Sequence, residues 1–287
     1  LKAIELNEKS AIAHLNLGAC YKEKNNLENA ILHTEIAIKL DNQLKNSYLN
    51  LATIYNQKGE YNKALIIAKK EISINQNSEL VFQLICDLLK KMKSTQLAEN
   101  TNRKLISNIL ARKDISHREL FGIINNMIST KVLEKLSVLE SDLIKSKEFN
   151  ILLNDKECIK ALKLLIFCSP LWEKVLRNIR KHLLTNYSES IKTSKNLLNF
   201  IIALGSQSFL NEYIYYVSDI EKYRLEELKI SLNKSNNKDY KLALISCYEP
   251  LYLINKNFIN LNNYKSNNKE FNTLLDLQYK EIIIEKN

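Results

Sequence analysis

The feature that most constrains this chain is a 34-residue period. Setting residues 11–44 against residues 45–78 puts Leu17-Gly18 on Leu51-Ala52, Tyr21 on Tyr55, Leu27 on Tyr61, Ala30 on Ala64 and His14 on Tyr48. A period of this size marks supersecondary units that cannot bury an apolar face alone and must stack on their neighbours. The residue types fit a pair of antiparallel helices. Small Gly18, Ala30, Ala52 and Ala64 let the two helices of one hairpin approach closely, and large Leu17, Tyr21, Leu51 and Tyr55 fill the space between hairpins. Lys24-Asn25-Asn26 and Lys58-Gly59-Glu60 fall where each hairpin turns.

The places that repeat are those of the pattern W-x2-L-G-x2-Y…A-x3-F…P, so this segment resembles the tetratricopeptide family. Shifted back one period, Ala3 meets Ala37 and Leu6 meets Leu40, which makes residues 1–10 a partial repeat. Shifted forward, Phe82, Ile85, Cys86, Leu89 and Ala98 form a degenerate repeat over 79–107, with Cys86 at the place of Gly18. Thr34 and Ala68 stand where the family has an aromatic, Glu71 where it has Ala, and Asn42 and Gln76 where it has Pro. The resemblance covers residues 1–107 and implies an α-α superhelix, a solenoid whose first helices line a concave groove. A start inside a repeat, without Met, leads us to expect a fragment of a longer protein.

Composition closes off the alternatives. The chain of 287 residues has only 4 Gly and 2 Pro, where average usage gives roughly 20 and about 14. Gly18, Gly59, Gly122 and Gly205 stand too far apart for a dinucleotide fingerprint or a phosphate loop. Too few turn residues remain for a sandwich or barrel. The fold class expected is therefore all-α. The net charge of +10 rests on 42 Lys+Arg against 32 Asp+Glu. It is spread evenly, 15 against 11 in residues 1–107 and 27 against 21 in residues 108–287. That distribution argues against a nucleic-acid partner. Cys20, Cys86, Cys158, Cys168 and Cys247 are odd in number and lack CxxC spacing, as in a cytoplasmic protein with reduced thiols. The most apolar stretch, residues 197–204, is too short to cross a bilayer.

Residues 108–287 lose the period and keep helical patterning, which makes them a second, irregular all-helical domain. Ser116-His117-Arg118-Glu119 reads as a capping box, and Ser169-Pro170 as an N-cap followed by Pro at the first helical position. Further helices are expected over 130–146, 155–168, 194–232 (broken near Gly205 or Ser206), 238–248 and 269–285. The stretches 208–215, 247–251 and the last helix around 274–281 resemble the helical segment preceding the catalytic domain in bacterial tetratricopeptide proteins of the class I S-adenosylmethionine methyltransferase type. In that family the catalytic domain follows the last of these helices. By this resemblance it would lie beyond residue 287.

No catalytic constellation is present in the sequence. His14, His33, His117 and His182 are dispersed, without HExxH or a Cys at metal-ligand spacing, so no metal site is expected. His14 fills an aromatic place of the repeat and reads as packing. Gly205-Ser206-Gln207-Ser208 lacks the G-x-S-x-G pattern, and Cys168 beside Trp172 reads as a small core residue. Glu212, between Asn211 and Tyr213 and amid apolar neighbours, either faces solvent or joins a polar network. We expect the network, and the methyltransferase resemblance implies that it lies against the following domain.

The repeats carry the sharpest expectation. Asn16 and Asn50 occupy equivalent places on successive first helices. An amide both donates and accepts, so such a row can hold a peptide backbone whatever its sequence; it resembles the asparagine ladder of repeat-containing glycosyltransferases. Thr53, Asn56 and Lys22 extend the surface, while Leu84 interrupts the row, and Leu80 and Leu84 speak against a basic clamp for an acidic C-terminus. The function expected is a peptide- or protein-binding module with no cofactor in this chain. The alternative is the substrate-presenting region of a methyltransferase.

Overall fold

The structure, a computed structural model, describes residues 9–188, 194–234, 237–254 and 258–280. Residues 1–8 of the expected partial repeat, and the final helix beyond 280, lie outside the described residues. The described residues are all-α, with no strand. They fall into two compact units, Leu1–Met127 and Ile128–Asn287.

The first unit opens with two helical hairpins: α1 (Ala11–Glu23) with α2 (Leu27–Leu40), and α3 (Ser47–Gln57) with α4 (Tyr61–Ile74). Their turns are copies of one another. Asn25 and Gly59, one period apart, both take left-handed φ, 56° and 79°. That conformation suits glycine and is tolerated by asparagine. The following N–H groups reach back five residues, Asn26 to the Tyr21 carbonyl and Glu60 to the Tyr55 carbonyl, each at 2.9 Å. This closes both first helices as a Schellman turn does. The close approach within a hairpin is equally concrete. A Cβ on Gly18 would stand 2.4 Å from Thr34 Oγ1, and Ala30, Ala52 and Ala64 are fully buried.

Where the second hairpin departs from the first, it compensates. Ser10 caps α1, accepting from the Ala13 N–H at 3.3 Å, whereas the place one period on is Leu44. The N–H groups that start α3 turn instead to Glu71, from α4 of the same hairpin. Its fully buried carboxylate accepts from the N–H of Asn46 (2.7 Å), Tyr48 (3.2 Å) and Leu49 (3.3 Å). Asn46, at φ 68°, provides no side-chain cap of its own. The glutamate in an alanine place is therefore a helix cap delivered from a distance.

The first unit continues with α5 (Glu79–Lys91), a single turn α6 (Ser94–Leu97) and α7 (Asn100–Ile109). Side-chain bonds tie successive hairpins at close to the repeat spacing: Lys91 Nζ to Asn56 Oδ1 (2.9 Å), Gln96 Nε2 to Asn62 Oδ1 (3.1 Å) and Lys69 Nζ to Asn102 Oδ1 (3.0 Å). The pattern continues into α8 (His117–Met127), which packs on α5 and sends Asn126 Nδ2 to the Lys90 carbonyl at 2.5 Å. The first compact unit runs to Met127 and so includes α8. Gly122 of α8 leaves room for the Lys90 side chain, 3.1 Å from where a Cβ would be. The side chains of residues 117–119 lie outside the described residues, and with them the expected capping box.

The second unit is built around α13 (Lys195–Leu210), which is buried on almost every side from Phe200 to Ser208. Helices α10 (Lys147–Asn154), α11 (Lys156–Leu164), α15 (Lys238–Ile245) and α16 (Lys269–Leu275) pack against it. Helices α9 (Thr130–Val138), α12 (Pro170–Thr185) and α14 (Asp219–Ile230) complete the unit, with α12 packed on α9 and α14. Two sequence expectations are corrected. α13 is not broken at Gly205, because that glycine is a contact point: a Cβ there would lie 2.0 Å from Ser246 Oγ. The break comes after Leu210, where Glu212 and Tyr213 take left-handed φ of 56° and 57°. The expected helix over 130–146 stops at Val138; Asp142 at φ 50° redirects the chain, and Ser146 caps a separate helix by accepting from the Phe149 N–H (3.1 Å).

Candidate functional site

The first helices of successive hairpins are neighbours, α1 beside α3 and α3 beside α5. Of the five residues expected to line a groove there, the structure divides two from three. Thr53 Oγ1 donates back to the Leu49 carbonyl (2.8 Å), Asn56 accepts from Lys91 (2.9 Å), and Lys22 pairs with Glu23 (3.4 Å). Asn16 is exposed and Asn50 half-buried, and neither amide has a hydrogen-bond partner among the described residues. Leu84, at the third place of the row, is buried.

Behind this face sits a pair that sequence distance hid. His14 and His33 meet with Nδ1 atoms 3.1 Å apart, and the His33 ring stacks between His14 and Tyr21. One proton between two facing nitrogens is a hydrogen bond, and two are a repulsion. Burial, then the His14 charge, hold His33 below the ordinary histidine range. His14 packs here as an aromatic would. Among the described residues no group of three or more His, Cys, Asp or Glu is arranged to hold a metal ion.

In the second unit, Asn211, Glu212 and Tyr213 do not form one network. Asn211 is buried, its amide nitrogen set toward the Ser208 carbonyl (2.7 Å) and its oxygen accepting from Tyr215 Oη (2.8 Å). Glu212 is exposed, and the buried Tyr213 hydroxyl has no hydrogen-bond partner among the described residues. The left-handed pair at 212–213 is what separates them, turning the carboxylate out as the ring goes in.

The polar network of this unit lies nearby and is centred on Arg180 and Glu221, which the sequence reading did not single out. Arg180 of α12, 1% exposed, donates from Nη1 to the Cys247 carbonyl (3.1 Å) and from Nη2 to the Tyr216 carbonyl (2.8 Å). Its guanidinium lies 4.1 Å from the centroid of the Tyr248 ring and 3.9 Å from Glu221 Oε1. Tyr248 Oη donates to that same oxygen (2.9 Å), and Glu221 Oε2 accepts from Ser218 N–H (2.9 Å) and Oγ (2.7 Å). Burial drives the Tyr248 hydroxyl well above the ordinary phenol range and pushes the Cys247 thiol up to about 12. A thiol held there stays protonated at neutral pH and is no nucleophile. Arg180 and Tyr248 are buried and spend their polar groups on backbone carbonyls and Glu221, so they act as a structural tie, while Glu221 also borders a cleft of about 350 Å³. The motif Ser218-x-x-Glu221 was the available signal, as a capping box opening α14.

Cys168, expected in the core beside Trp172, is exposed, while Trp172 is fully buried against Phe167. No helix among the described residues is long and apolar enough to cross a membrane. No protein-family model matches this chain, and no curated protein matches it.

Proposed function

We propose that the first unit is a tetratricopeptide-type module that holds an extended peptide against its first helices, with the backbone of the peptide read by Asn16 and Asn50. The observation that carries this reading is the pair of uncommitted amides one period apart, among neighbours whose polar groups are already engaged. Each amide offers one acceptor and two donors, the complement of a peptide group. The reading makes no use of a cofactor or a catalytic residue.

The test is a peptide-display selection on the full chain, followed by titration of the selected peptides against the wild type and against Asn16→Ala/Asn50→Ala. Alanine is the better helix former, so lost binding is not lost helix. Two peptide-amide bonds at about 1 kcal/mol each predict a loss of roughly 30-fold. Selected peptides that bind the variant as tightly as the wild type would sink the proposal.

One observation favours a second reading, in which the second unit carries a separate domain. Ile220, Tyr223 and Ile230 of α14 are each more than 60% exposed and share one helix face, and Ile214 and Tyr216 stand out just before it. Clustered apolar surface of this kind marks a contact site. It accords with the resemblance to the helical segment of the methyltransferase family. A chain extended past residue 287 that binds S-adenosylmethionine, where this chain does not, is the expected result.

A further inference from the structure

Between α11 and α12, residues 165–169 belong to no helix. Both ends of this segment are extended: Leu165 has φ −120° and ψ 147°, and Ser169 has φ −102° and ψ 132°. Burial alternates along it with the period of a strand. Leu165 and Phe167 are buried, and Ile166 and Cys168 are exposed. The inward side is fixed. Phe167 packs edge-on against the fully buried Trp172, with ring centroids 4.9 Å apart. Gln207 of α13, itself fully buried, sets its amide nitrogen toward the Leu165 carbonyl (2.7 Å) and its oxygen toward the Phe167 N–H (3.3 Å). One donor and one acceptor on alternate residues are what a neighbouring strand would offer, and here a side chain supplies them.

The opposite edge is open. Backbone groups of successive residues in a strand point to opposite edges, so the N–H and C=O of Ile166 and of Cys168 face away from Gln207. None of these groups has a hydrogen-bond partner among the described residues. A row of this kind is a template for a further extended chain, and exposed edges are ordinarily guarded by a charge, a Pro or a bulge. Residues 164–169 carry neither charge nor Pro, and Leu164 and Ile166 are 41% and 48% exposed. Because its inner side is already held, pairing the segment costs little further ordering. We infer that this edge takes an added strand from another protein: an extended, uncharged peptide whose main chain exchanges hydrogen bonds with Ile166 and Cys168. Main-chain bonds supply the affinity in such an addition, and alternate side chains the selectivity. A β-branched residue is the fitting cross-strand neighbour for Ile166, and residues 164–172 offer no ionic partner to a charged one. The site uses neither Asn16 nor Asn50.

The experiment is amide hydrogen exchange of the full chain, read by NMR, with and without a short, end-blocked peptide of alternating valine and threonine. The peptide is expected to bind with Kd below ~1 mM. At saturation, exchange at Ile166 and Cys168 should slow at least about tenfold, while Phe167, already bonded to Gln207, stays within about twofold. The same peptide N-methylated at its central amides loses its donors and should bind roughly tenfold more weakly or worse. Ile166→Pro removes an outward N–H after a residue that is already extended, and should lose a similar factor. Fluorescence of Trp172, the single tryptophan, checks that this variant folds; if it does not, the methylated peptide carries the test on the unaltered chain. Asn16→Ala/Asn50→Ala should bind the peptide as the wild type does. Unchanged exchange at Ile166 and Cys168, a methylated peptide bound as tightly, or lost binding in the asparagine variant would each overturn the inference. So would protection of Ile166 and Cys168 that rises with protein concentration in the absence of peptide, which would give the edge to a second copy of the chain.

Discussion

Glu71 offers the most direct test of how the repeats are held together. Its carboxylate is fully buried and accepts three backbone N–H groups at the start of α3. Glu71→Ala removes the acceptor and leaves those donors inside the hairpin. The 2.7 Å bond to Asn46 is short and charge-assisted, worth about 2 kcal/mol net, and the two longer ones add about 0.5 kcal/mol each. The expected destabilisation is thus about 3 kcal/mol. Glu71→Gln keeps the shape and one accepting oxygen but turns an amide nitrogen toward a donor, for a loss of about 1.5 kcal/mol. Urea unfolding followed by circular dichroism gives the total, and amide hydrogen exchange at Tyr48 and Leu49 localises it. At 1.4 kcal/mol per decade, the alanine variant should lose roughly 100-fold of protection at those two amides. Protection unchanged there, or a stability within about 0.5 kcal/mol of wild type, would refute the account of a cap delivered from the second helix.

Three further outcomes are expected. Gly205→Ala forces a Cβ to within 2.0 Å of Ser246 Oγ, so α13 and α15 must separate; a loss of about 1–3 kcal/mol in urea unfolding is expected, partly recovered by Ser246→Ala. Arg180→Met strips the cation from a buried carboxylate and leaves two carbonyls without donors, which should cost about 3–5 kcal/mol by the same measurement. The third concerns pH. His33 in the folded chain titrates below its ordinary value, so the unfolded chain binds its proton first as pH falls. Its contribution is complete above the unfolded value of about 6.5 and is lost as pH drops through the folded one. Thermal midpoints should therefore fall from about pH 7 to about pH 5, and His33→Phe should flatten part of that slope. His182 is also lowered, by burial first, and accounts for a remainder of the same sign.

Local features of the fold were legible in the sequence, and long-range ones were not. The 34-residue period located both hairpin turns, and the small residues at Gly18, Ala30, Ala52 and Ala64 marked where helices touch. Glu71 was visible only as a departure from a pattern, since nothing in its own neighbourhood says that its oxygens reach a backbone 22 to 25 residues earlier. Gly205 misled because a glycine that breaks a helix and one that admits a neighbouring helix look the same until the neighbour, Ser246, is known. Ser218 and Glu221 could have been read as a cap, but Arg180 and Tyr248 join them from 41 residues before and 27 after, beyond any local signal. Along the first helices, the row of asparagines was readable, and which of its neighbours were already engaged was not.

The spans of these ties bear on how the protein emerges during synthesis. In the first unit the side-chain bonds between hairpins join residues about 30 to 36 apart. In the second, Arg180 reaches Cys247 across 67 residues, Gln278 reaches Gly205 across 73 and Lys163 reaches Glu270 across 107. A ribosome releasing this chain therefore frees partners for each hairpin almost as soon as the hairpin itself appears. α13 and Arg180 must wait, with their apolar and charged surfaces bare, until α15 and α16 follow. The interval between those moments is when nascent chains of this protein most need a chaperone.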